Sequence, residues 1–314
     1  LALHASTQMS VTSAAGVAQA AAAGCERVVM ARELTLNDLE RVQQQLKKRQ
    51  LDVPLEVFVH GALCVAYSGQ CLTSESLGQR SANRGECAQA CRLPYQFIVD
   101  GEERDLGDQR YLLSPQDLAA WSLIPELARI GISSLKIEGR LKSATYVAAV
   151  TDVYRRSIDG VLDDPDTTRL QLELGFSRGL STGWLEGIDH AALVHGRWSK
   201  KRGPSLGHLV KVHPRGWIEV QAENEPLRGQ GVVLEVAASE GGAFQVPREV
   251  GGRIMESVFS GDGSWRLKLG PGRVDPRGLR PGAPVWLTSD PQWQSTWSRR
   301  AGRETPPQEV QLLL

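Results

Sequence analysis

The first half of the chain alternates between short apolar runs and stretches with apolar residues at helical spacing. The apolar runs cover residues 1–5, 27–31, 55–59 and 132–137, and the helical patterns cover residues 12–23, 35–49, 114–129 and 144–158. Apolar runs of this length predict strands, and a repeat near about 3.6 residues predicts amphipathic helices. Strands that alternate with helices are typical of βα units with parallel strands, so this half is predicted to have an α/β fold.

Residues that favour helix ends support these boundaries. Thr35 precedes the second helical pattern as an N-cap, and Gly24 follows the first pattern in the position after the C-cap. Ser114 and Pro115 form a typical start for the third helix, with proline at its first position. Between the second and third helices, the runs 95–99 and 110–113 flank a turn-like sequence and predict a β-hairpin.

The second half changes character near residue 163, because glycine and proline become frequent and short alternating runs replace helices. These runs cover residues 206–212, 217–222, 231–236, 265–269 and 284–287. They predict a small antiparallel β-barrel or sandwich. The predicted organisation is an α/β domain over 1–162 with a cysteine-rich loop at 60–92, a linker over 163–204, a small β-barrel over 205–290 and a polar tail over 291–314. Four βα units amount to half of an eight-stranded barrel or most of a small open sheet.

Charge and composition narrow the classes of protein. The 314 residues carry 36 acidic and 36 basic side chains, so the whole-chain charge favours neither a nucleic acid nor a membrane as partner. No apolar run approaches the length of a membrane span, and no export signal is recognisable. We therefore expect a cytoplasmic protein without a membrane partner. The sequence begins without methionine, which suggests an N-terminally truncated member of a longer protein.

Four of the five cysteines lie in the irregular segment 60–92, called the cysteine loop below: Cys64, Cys71, Cys87 and Cys91. Clustered thiols can form disulfides, a zinc site or an iron–sulfur site. A reducing compartment disfavours disulfides. Only the last two cysteines have the close spacing of a zinc knuckle. The residues alone leave zinc and iron–sulfur open, with unliganded buried thiols as a third interpretation.

Polar side chains recur where the predicted parallel strands end. They are Gln8 after the first strand, Arg32 and Glu33 after the second, His60 after the third, and Glu138 and Arg140 after the fourth. In parallel α/β folds the active site lies at this edge of the sheet. Strand ends are also polar because they meet solvent, and Glu138 could simply pair with Arg140. Four successive ends with such residues favour a functional edge.

A basic stretch with aromatic neighbours precedes the predicted β-barrel. Arg197, Lys200, Lys201 and Arg202 occur without an acidic residue between them, and Trp198 lies among them. Cations contact nucleic-acid phosphates and tryptophan stacks on bases, so this stretch is a candidate RNA-binding surface. A solvated surface without a ligand is the alternative interpretation of a run of charges.

The segment EVFVHGALCVAYSGQCLTS, residues 56–74, contains the pattern Glu-x-Phe-x-x-Gly-Ala-Leu-Cys followed by Gly-x-Cys. Further segments are VVMARELTL, NRGECAQACRLPY, YLLSPQDL, SLKIEGRLKSATYVAAV and FSRGLSTGWLEG. On these motifs the chain resembles the collagenase-like peptidases of family U32 over residues 3–190. The β-rich remainder resembles them more loosely.

The resemblance implies the C-terminal half of a TIM-like barrel followed by small β domains. Relatives include oxygen-independent hydroxylases that carry a 4Fe–4S cluster and use prephenate as the hydroxyl source. They act on transfer RNA, on a cytidine of large-subunit ribosomal RNA or on a ubiquinone precursor. The ARELTL, RGECAQACRLPY and FSRG segments are most similar to the ribosomal RNA branch. By this resemblance Cys64, Cys71, Cys87 and Cys91 are the cluster ligands, and the product is 5-hydroxycytidine.

The residues themselves favour a hydroxylase over a peptidase. Neither an HExxH motif nor a Ser-His-Asp constellation is recognisable, and four clustered thiols suit a cluster better than one nucleophile. The predicted catalytic residues are His60, Glu138 and Arg140, and the predicted substrate-binding residues are Gln8, Arg32, Glu33, Arg84 and Lys136. A collagenase-like peptidase and a non-enzymatic RNA-binding module with structural zinc are the alternatives.

Overall fold

The computed structural model describes residues 2–236, 249–270 and 278–302. The strands are β1 His4–Ala5, β2 Arg27–Val29, β3 Leu55–Ala62, β4 Phe97–Val99, β5 Glu102–Arg104, β6 Asp117–Ala119, β7 Ser134–Ile137, β8 Leu180–Ser181, β9 Ser205–Val212, β10 Trp217–Ala222, β11 Gly231–Glu235, β12 Glu249–Gly261, β13 Ser264–Leu269 and β14 Pro284–Ser289. The helices are α1 Ala14–Ala22, α2 Leu36–Lys48, α3 Thr73–Gly78, α4 Ile124–Ile130, α5 Ala144–Asp159, α6 Pro165–Gly175, α7 His190–Leu193 and α8 Pro291–Ala301. Within these residues, no helix combines the length and apolar character that crossing a membrane requires.

A parallel sheet forms the centre of the first half. β1, β2, β3 and β7 lie side by side in chain order, and each neighbouring pair is parallel. The C-terminal end of β3 also pairs antiparallel with β6, and β6 is parallel to β8. The predicted α/β fold with parallel strands is therefore confirmed. The half of a TIM-like barrel stays a prediction.

Local signals account for α2 and for its orientation. The Thr35 hydroxyl accepts from the Asp38 N–H and the Asp38 carboxylate accepts from the Thr35 N–H, which forms a capping box. Leu39, Val42 and Leu46, at helical spacing, are buried on one side of the helix. They join a hydrophobic core built by residues between positions 5 and 193.

The second half contains a closed antiparallel barrel with the strand order β10-β13-β12-β11-β14-β9. Alternating residues such as Ile218 and Val220 of β10, and Leu267 and Leu269 of β13, fill its separate core. Closure leaves no strand of the barrel with an unpaired edge. The predicted small β-barrel is confirmed. β12 was not predicted, because the Gly251-Gly252 pair breaks its apolar alternation.

The prediction of one helix over 114–129 is wrong. β6 occupies Asp117–Ala119 and α4 begins only at Ile124. The Asp117 N–H donates to the Gly179 carbonyl, and the Asp117 carboxylate pairs with Arg178, so the segment is drawn into the sheet. Partners distant in sequence therefore override a local helix start.

The predicted hairpin between 95–99 and 110–113 is also wrong. β4 pairs with β5 instead, across a two-residue turn at Asp100 and Gly101, whose φ angles are 53° and 81°. An Asp-Gly pair with both φ angles positive forms the tight turn that matches the twist of paired strands. The sequence 95–99 and residue 110 retain one hydrogen bond, from the Tyr95 N–H to the Arg110 carbonyl.

Two segments without predicted structure form helices. α6 lies within 163–204, the predicted linker, and its N-cap is Asp164, whose carboxylate accepts from two backbone N–H groups. α8 lies at the start of the predicted polar tail, with Asp290 as its N-cap and Trp297 buried. The remainder of the predicted tail, residues 303–314, lies outside the described residues.

Candidate functional site

The cysteine loop is fixed to the sheet edge through Ser68, which is buried. Glu33 Oε1 accepts from the Ser68 N–H at 2.7 Å and from its hydroxyl at 3.1 Å. The Ser68 hydroxyl accepts from the Arg32 backbone N–H at 3.3 Å and from Arg32 Nε at 3.4 Å. Arg32 and Glu33 thus position the loop. Their predicted role in binding substrate stays a prediction.

Two glycines allow the close approach of the loop and the strand ends. Gly61 has a φ of 110°, and a Cβ atom there would lie 2.5 Å from the Glu138 carbonyl oxygen. Gly69 has a φ of 72°, and a Cβ atom there would lie 2.6 Å from the carbonyl oxygen of Gln8. Larger residues would be strained in this backbone conformation and would collide with these neighbours. Gln8 itself has an exposed side chain.

The four thiols of the loop share one neighbourhood around Cys91. All are free, and Cys87 is exposed while the others are half-buried. Burial raises the pKa of the Cys91 thiol, Arg92 opposes this rise, and negative charge on Cys64, Cys87 and Cys71 adds to it. The Cys87 sulfur accepts from the Gln89 N–H at 3.4 Å.

The spacing of these donors bears on which group they could hold. Among residues 2–236, 249–270 and 278–302, no three His, Cys, Asp or Glu side chains are close enough to hold one metal ion. A tetrahedral zinc ion with Zn–S bonds of about 2.3 Å requires thiolates within about 4 Å of one another. An iron–sulfur cluster distributes its thiolates over several iron atoms, so they lie further apart. Four soft thiolate donors in one loop have the chemistry that an iron–sulfur cluster requires, and the choice between a cluster and a zinc ion stays a prediction.

Arg92 holds the cysteine loop against the segment before β6. Its guanidinium donates to the Ser114 hydroxyl at 2.7 Å, to the Pro115 carbonyl at 2.5 Å and to the Leu63 carbonyl at 2.8 Å. Leu63 precedes Cys64, and Arg92 follows Cys91. One arginine therefore fixes the backbone beside two of the four thiols.

Two further cations, Lys142 and Arg178, lie in the same environment as Arg92. Arg178 is buried, and its guanidinium lies 2.6 Å from the Asp117 carboxylate. Burial and then the charge of Arg178 lower the pKa of Lys142 to about 8, with a smaller contribution from Arg92, while Asp117 opposes this shift. Lys142 Nζ lies 2.9 Å from the centre of the Phe176 ring, and Arg178 Cζ lies 4.7 Å from it.

This cation group, defined as Arg92, Lys142 and Arg178, has one buried carboxylate between its members. The remaining positive charge suits an anionic ligand. Lys142, Arg178 and Asp117 were not predicted as site residues. The available signal was their position in the segments SLKIEGRLKSATYVAAV, FSRGLSTGWLEG and YLLSPQDL, on which the family resemblance rests.

His60 is buried among aromatic rings. Its exposed fraction is 1%, and its Nδ1 lies 3.3 Å from the Tyr154 hydroxyl. Burial lowers the pKa of His60 to about 3, so the imidazole is neutral near pH 7. Its Nε2 has no hydrogen-bond partner within the described part of the chain. His60 joins β3 to α5, and its predicted catalytic role stays a prediction.

The other predicted residues at this edge are placed as follows. Glu138 accepts from the backbone N–H of Arg140 at 2.7 Å, and the Arg140 side chain is exposed. Lys136 Nζ lies 2.9 Å from the buried carboxylate of Glu56, so this lysine is engaged in an ion pair. Arg84 is exposed in a 3-10 turn of the cysteine loop. Among the described residues, none of these four forms a hydrogen bond or an ion pair with the cation group.

Two of the predicted RNA-binding arginines are engaged in ion pairs. Arg202 is buried and pairs with Glu235 of β11 and with Glu249 of β12, the latter at 2.9 Å. Arg197 lies 2.7 Å from Asp108. Both arginines also lie over the Trp198 ring, at 5.0 Å and 5.5 Å from its centre. These contacts tie residues 197–202 to the barrel and to the loop at 108.

The two predicted RNA-binding lysines differ in environment although they are adjacent. Lys201 Nζ donates to the carbonyl of Leu174 at 2.7 Å and to that of Gly175 at 3.0 Å, at the C-terminus of α6. Burial lowers the pKa of Lys201. Lys200 is exposed. The basic stretch therefore combines structural cations with a lysine that faces solvent.

Known proteins similar to this chain include RNA-modifying proteins and a protease. The chain is 31% identical over 323 residues to the 23S rRNA 5-hydroxycytidine synthase of Escherichia coli, covering 99% of this chain and 47% of that protein. It is 38% identical over 199 residues to tRNA hydroxylation protein P1 of Bacillus subtilis, covering 60% and 43%. It is 34% identical over 251 residues to a collagenase of Porphyromonas gingivalis, covering 74% and 60%.

The chain spans about half the length of the curated relatives it matches. No solved structure matches it. The profile of peptidase family U32 matches residues 1–195, which is more than half of the chain and includes the parallel sheet, the cysteine loop and the cation group. The protein therefore belongs to peptidase family U32.

Proposed function

We propose that this chain is the cluster-bearing part of an RNA hydroxylase. The observation that carries the proposal is the cation group beside four free thiols in one loop of the parallel sheet. The names of relatives that act on ribosomal and transfer RNA support RNA as the substrate. The specific reaction we propose forms 5-hydroxycytidine in large-subunit ribosomal RNA, with prephenate as the hydroxyl source. A reduced thiol cluster and an RNA substrate favour the cytoplasm.

Cys64, Cys71, Cys87 and Cys91 would hold a 4Fe–4S cluster, which when bound supplies a redox-active centre. Arg92 adjoins Cys91 and opposes the rise that burial causes in the pKa of this thiol, and the Gln89 N–H donates to the Cys87 sulfur. Such cations and donors also tune the potential of a cluster. The protein's contribution here is to hold the thiols, through Arg92 and Ser68, in a fixed loop.

Lys142 is the residue that we propose to bind the carboxylate of the co-substrate. Within the described residues it forms no ion pair closer than 4 Å, whereas Arg178 is engaged with Asp117. Its ammonium group packs against Phe176, so an anion beside it would be partly shielded from water. Arg178, held in place by Asp117, adds positive charge 4.7 Å from the centre of the same ring. Arg140, exposed two residues before Lys142, stays a second predicted contact.

Proteolysis has the support of the collagenase relative but little support from the geometry. A thiol nucleophile requires a histidine beside it and a lowered thiol pKa. His60 contacts Tyr154 instead, and burial raises the pKa of Cys91. His195 is also occupied, with its ring between the Arg178 carbonyl and the Arg197 N–H.

We also infer that the parallel sheet is a segment of a (β/α) barrel. β1, β2, β3 and β7 follow one another in chain order without the reversal that defines a doubly wound sheet. Strand ends in such a barrel converge on one active-site face. The cysteine loop follows β3 and the segment with Lys142 follows β7, so both lie at that face.

Metal analysis and an absorbance spectrum of anaerobically purified protein test the cluster. We expect iron and sulfide together with a broad thiolate-to-iron absorbance near roughly 400 nm. Cys71→Ser and Cys91→Ser should lose both, whereas the control Cys25→Ser, outside the loop, should keep them. Colourless, iron-free protein after reconstitution would contradict the proposal. Stoichiometric zinc would instead support the zinc-containing RNA-binding module.

A second experiment tests the reaction. Mass spectrometry of the RNA should show the gain of one oxygen atom only when prephenate is present.

A further inference from the structure

A cleft of about 740 Å³ lies between α6 and the β-barrel. Arg169 and Glu173 of α6 line one side, and Glu223, Asn224 and Trp286 of the barrel line the other. The segments 177–179 and 195–205 contribute further residues. This volume is within the range of sites for small ligands. None of the four cysteines and no member of the cation group lines it, so it is separate from the site described above.

Aromatic rings form part of the lining. Trp198 and Trp286 meet edge to face with ring centres 5.2 Å apart, and the His195 ring lies 4.2 Å from that of Trp198. His195 Nε2 donates to the Arg178 carbonyl at 2.7 Å, while Nδ1 accepts from the Arg197 N–H at 3.0 Å. Burial lowers the pKa of His195, which keeps this ring neutral. The lining of the cleft therefore contains aromatic rings that are fixed before any ligand binds.

The three arginines of the cleft already have acidic partners. Arg169 Nε lies 2.9 Å from Glu173, and Arg197 lies 2.7 Å from Asp108. Arg202 is buried and pairs with two glutamates of the barrel. A phosphate requires cations that are not neutralised in this way. The cleft is thus suited to an uncharged ligand rather than to a phosphate.

Hydrogen-bonding capacity remains in the same lining. It lies on exposed side chains, because the indole N–H groups of Trp198 and Trp286, which have no acceptor within the described residues, are buried. Exposed Asn224 presents an amide, which both donates and accepts hydrogen bonds. A flat ligand with several acceptors and donors at its edge would match these groups. Nucleobases have this combination of a π face and polar edges.

We propose that this cleft binds one unpaired nucleobase of the RNA, a neighbour of the nucleotide that is modified; this rests on the proposed function. Gln116 and Gly179 line the cleft, and they adjoin Asp117 and Arg178; Arg178 belongs to the cation group and pairs with Asp117. The cleft and the proposed reaction site are therefore lined by residues that are adjacent in the sequence. A base held in the cleft would place the next nucleotides of the strand toward the cysteine loop.

Binding of a single-stranded cytidine tetranucleotide to the anaerobic protein tests this proposal by tryptophan fluorescence. Removing an aromatic stacking partner lowers affinity by roughly 5- to 150-fold for one base. We expect a loss of that size for Trp198→Leu and a much smaller loss for Trp198→Phe, which keeps a ring. The matched control is Trp217→Leu in β10, because Trp217 does not line the cleft. It should bind like the wild type.

Asn224→Ala makes the test independent of folding, because its side chain is exposed. We expect a loss of about 3- to 10-fold from a removed edge contact to the base. An oligonucleotide with abasic positions should bind equally to wild type and Trp198→Leu. Wild-type affinity in both Trp198→Leu and Asn224→Ala would overturn the proposal, as would an equal loss in Trp217→Leu. If affinity falls as expected while no RNA is hydroxylated, the hydroxylase proposal fails and the nucleobase site stands.

Discussion

The most perturbed imidazole of the site is His60, which lies between Tyr146 and Tyr154 and whose Nε2 has no hydrogen-bond partner among the residues that the structure describes. A neutral imidazole tolerates this environment, but an imidazolium would lose its hydration without gaining a carboxylate. The residue therefore behaves as part of the core near pH 7. Because this buried environment of His60 exists only in the folded state, it makes the free energy of unfolding depend on pH.

Folding lowers the pKa of His60 from 6.5 to about 3, so the unfolded chain binds more protons between these values. The free energy of unfolding must therefore fall as the pH drops through that window, by up to roughly 5 kcal/mol at its acid end. His60→Phe should remove most of this dependence. Urea unfolding at several pH values between about 7 and 4 measures it. The exposed His208→Phe serves as control, and a wild-type slope in His60→Phe would contradict the assignment.

Lys142 makes the opposite kind of prediction, because its charged form is the one that we propose to bind the co-substrate. Its pKa is lowered to about 8, so the ammonium group is lost as the pH rises through and above this value. Prephenate affinity should fall over the same range, shifted upward because a bound anion favours the charged lysine. Lys142→Arg should retain binding at high pH, and Lys142→Met should lose it. Calorimetry on the cluster-containing protein measures both, and Arg140→Met, with its exposed side chain, serves for comparison.

At the scale of elements, the helices and strands that the sequence predicts correctly are those whose ends are marked by local signals. α2 has its capping box and a buried stripe at helical spacing, and β10 alternates cleanly, so both were predicted within a residue. β6 was missed because its partners, β3 and β8, are distant in sequence. A local signal such as Ser114-Pro115 then indicates a helix that the buried Asp117–Arg178 pair does not allow.

The candidate site follows the same division. The four cysteines occur in one loop and were recognisable as a set from the sequence. The cation group comes from three separate segments that meet only on folding, so no spacing could reveal it. Conversely, Arg32, Glu33 and Lys136 were predicted to bind substrate because they lie near strand ends. In the structure Arg32 and Glu33 contact Ser68, and Lys136 contacts Glu56. A polar residue at a strand end can either stabilise the edge of the sheet or face a ligand, and the sequence does not distinguish these two roles.

Gly61→Ala tests whether the junction of β3 and β7 tolerates any side chain. A Cβ atom would lie 2.5 Å from the Glu138 carbonyl, in addition to the cost of a φ of 110°. Gly24 has a similar φ of 90° with open space around it, so Gly24→Ala isolates the backbone cost, about 1–2 kcal/mol. We expect Gly61→Ala to cost at least about 2 kcal/mol more in urea unfolding. Equal costs for the two variants would show that the close approach relaxes freely.

At the scale of the whole molecule, two hydrophobic cores are joined by polar and aromatic contacts. Arg300 of α8 lies 2.9 Å from Asp152 of α5, which attaches the helix after the barrel to the α/β part. Lys201 donates to the last carbonyls of α6, and Arg202 pairs with two barrel strands. The residues 201–202 therefore connect α6 to the barrel and position the walls of the cleft.

Variants of the adjacent lysines Lys200 and Lys201 distinguish the contribution of this connection to stability from a contribution to RNA binding. Lys201→Met removes both hydrogen bonds to α6 and leaves the carbonyls of Leu174 and Gly175 without this partner, so we expect a loss of about 1–3 kcal/mol in the free energy of unfolding. Lys200→Met removes an exposed cation and should leave stability unchanged. If the basic stretch contacts RNA, Lys200→Met should weaken binding and reduce the salt slope by about 0.7.

Urea unfolding and RNA titrations at several salt concentrations measure both effects on the same two variants. Lys201→Met should keep the wild-type salt slope under conditions where it is folded, because its ammonium group is occupied by α6. A stability loss in Lys200→Met, or a reduced salt slope in Lys201→Met, would reverse the assignment of the two lysines. The pair is matched in residue type, charge and position along the chain, so a difference between the variants reports environment alone.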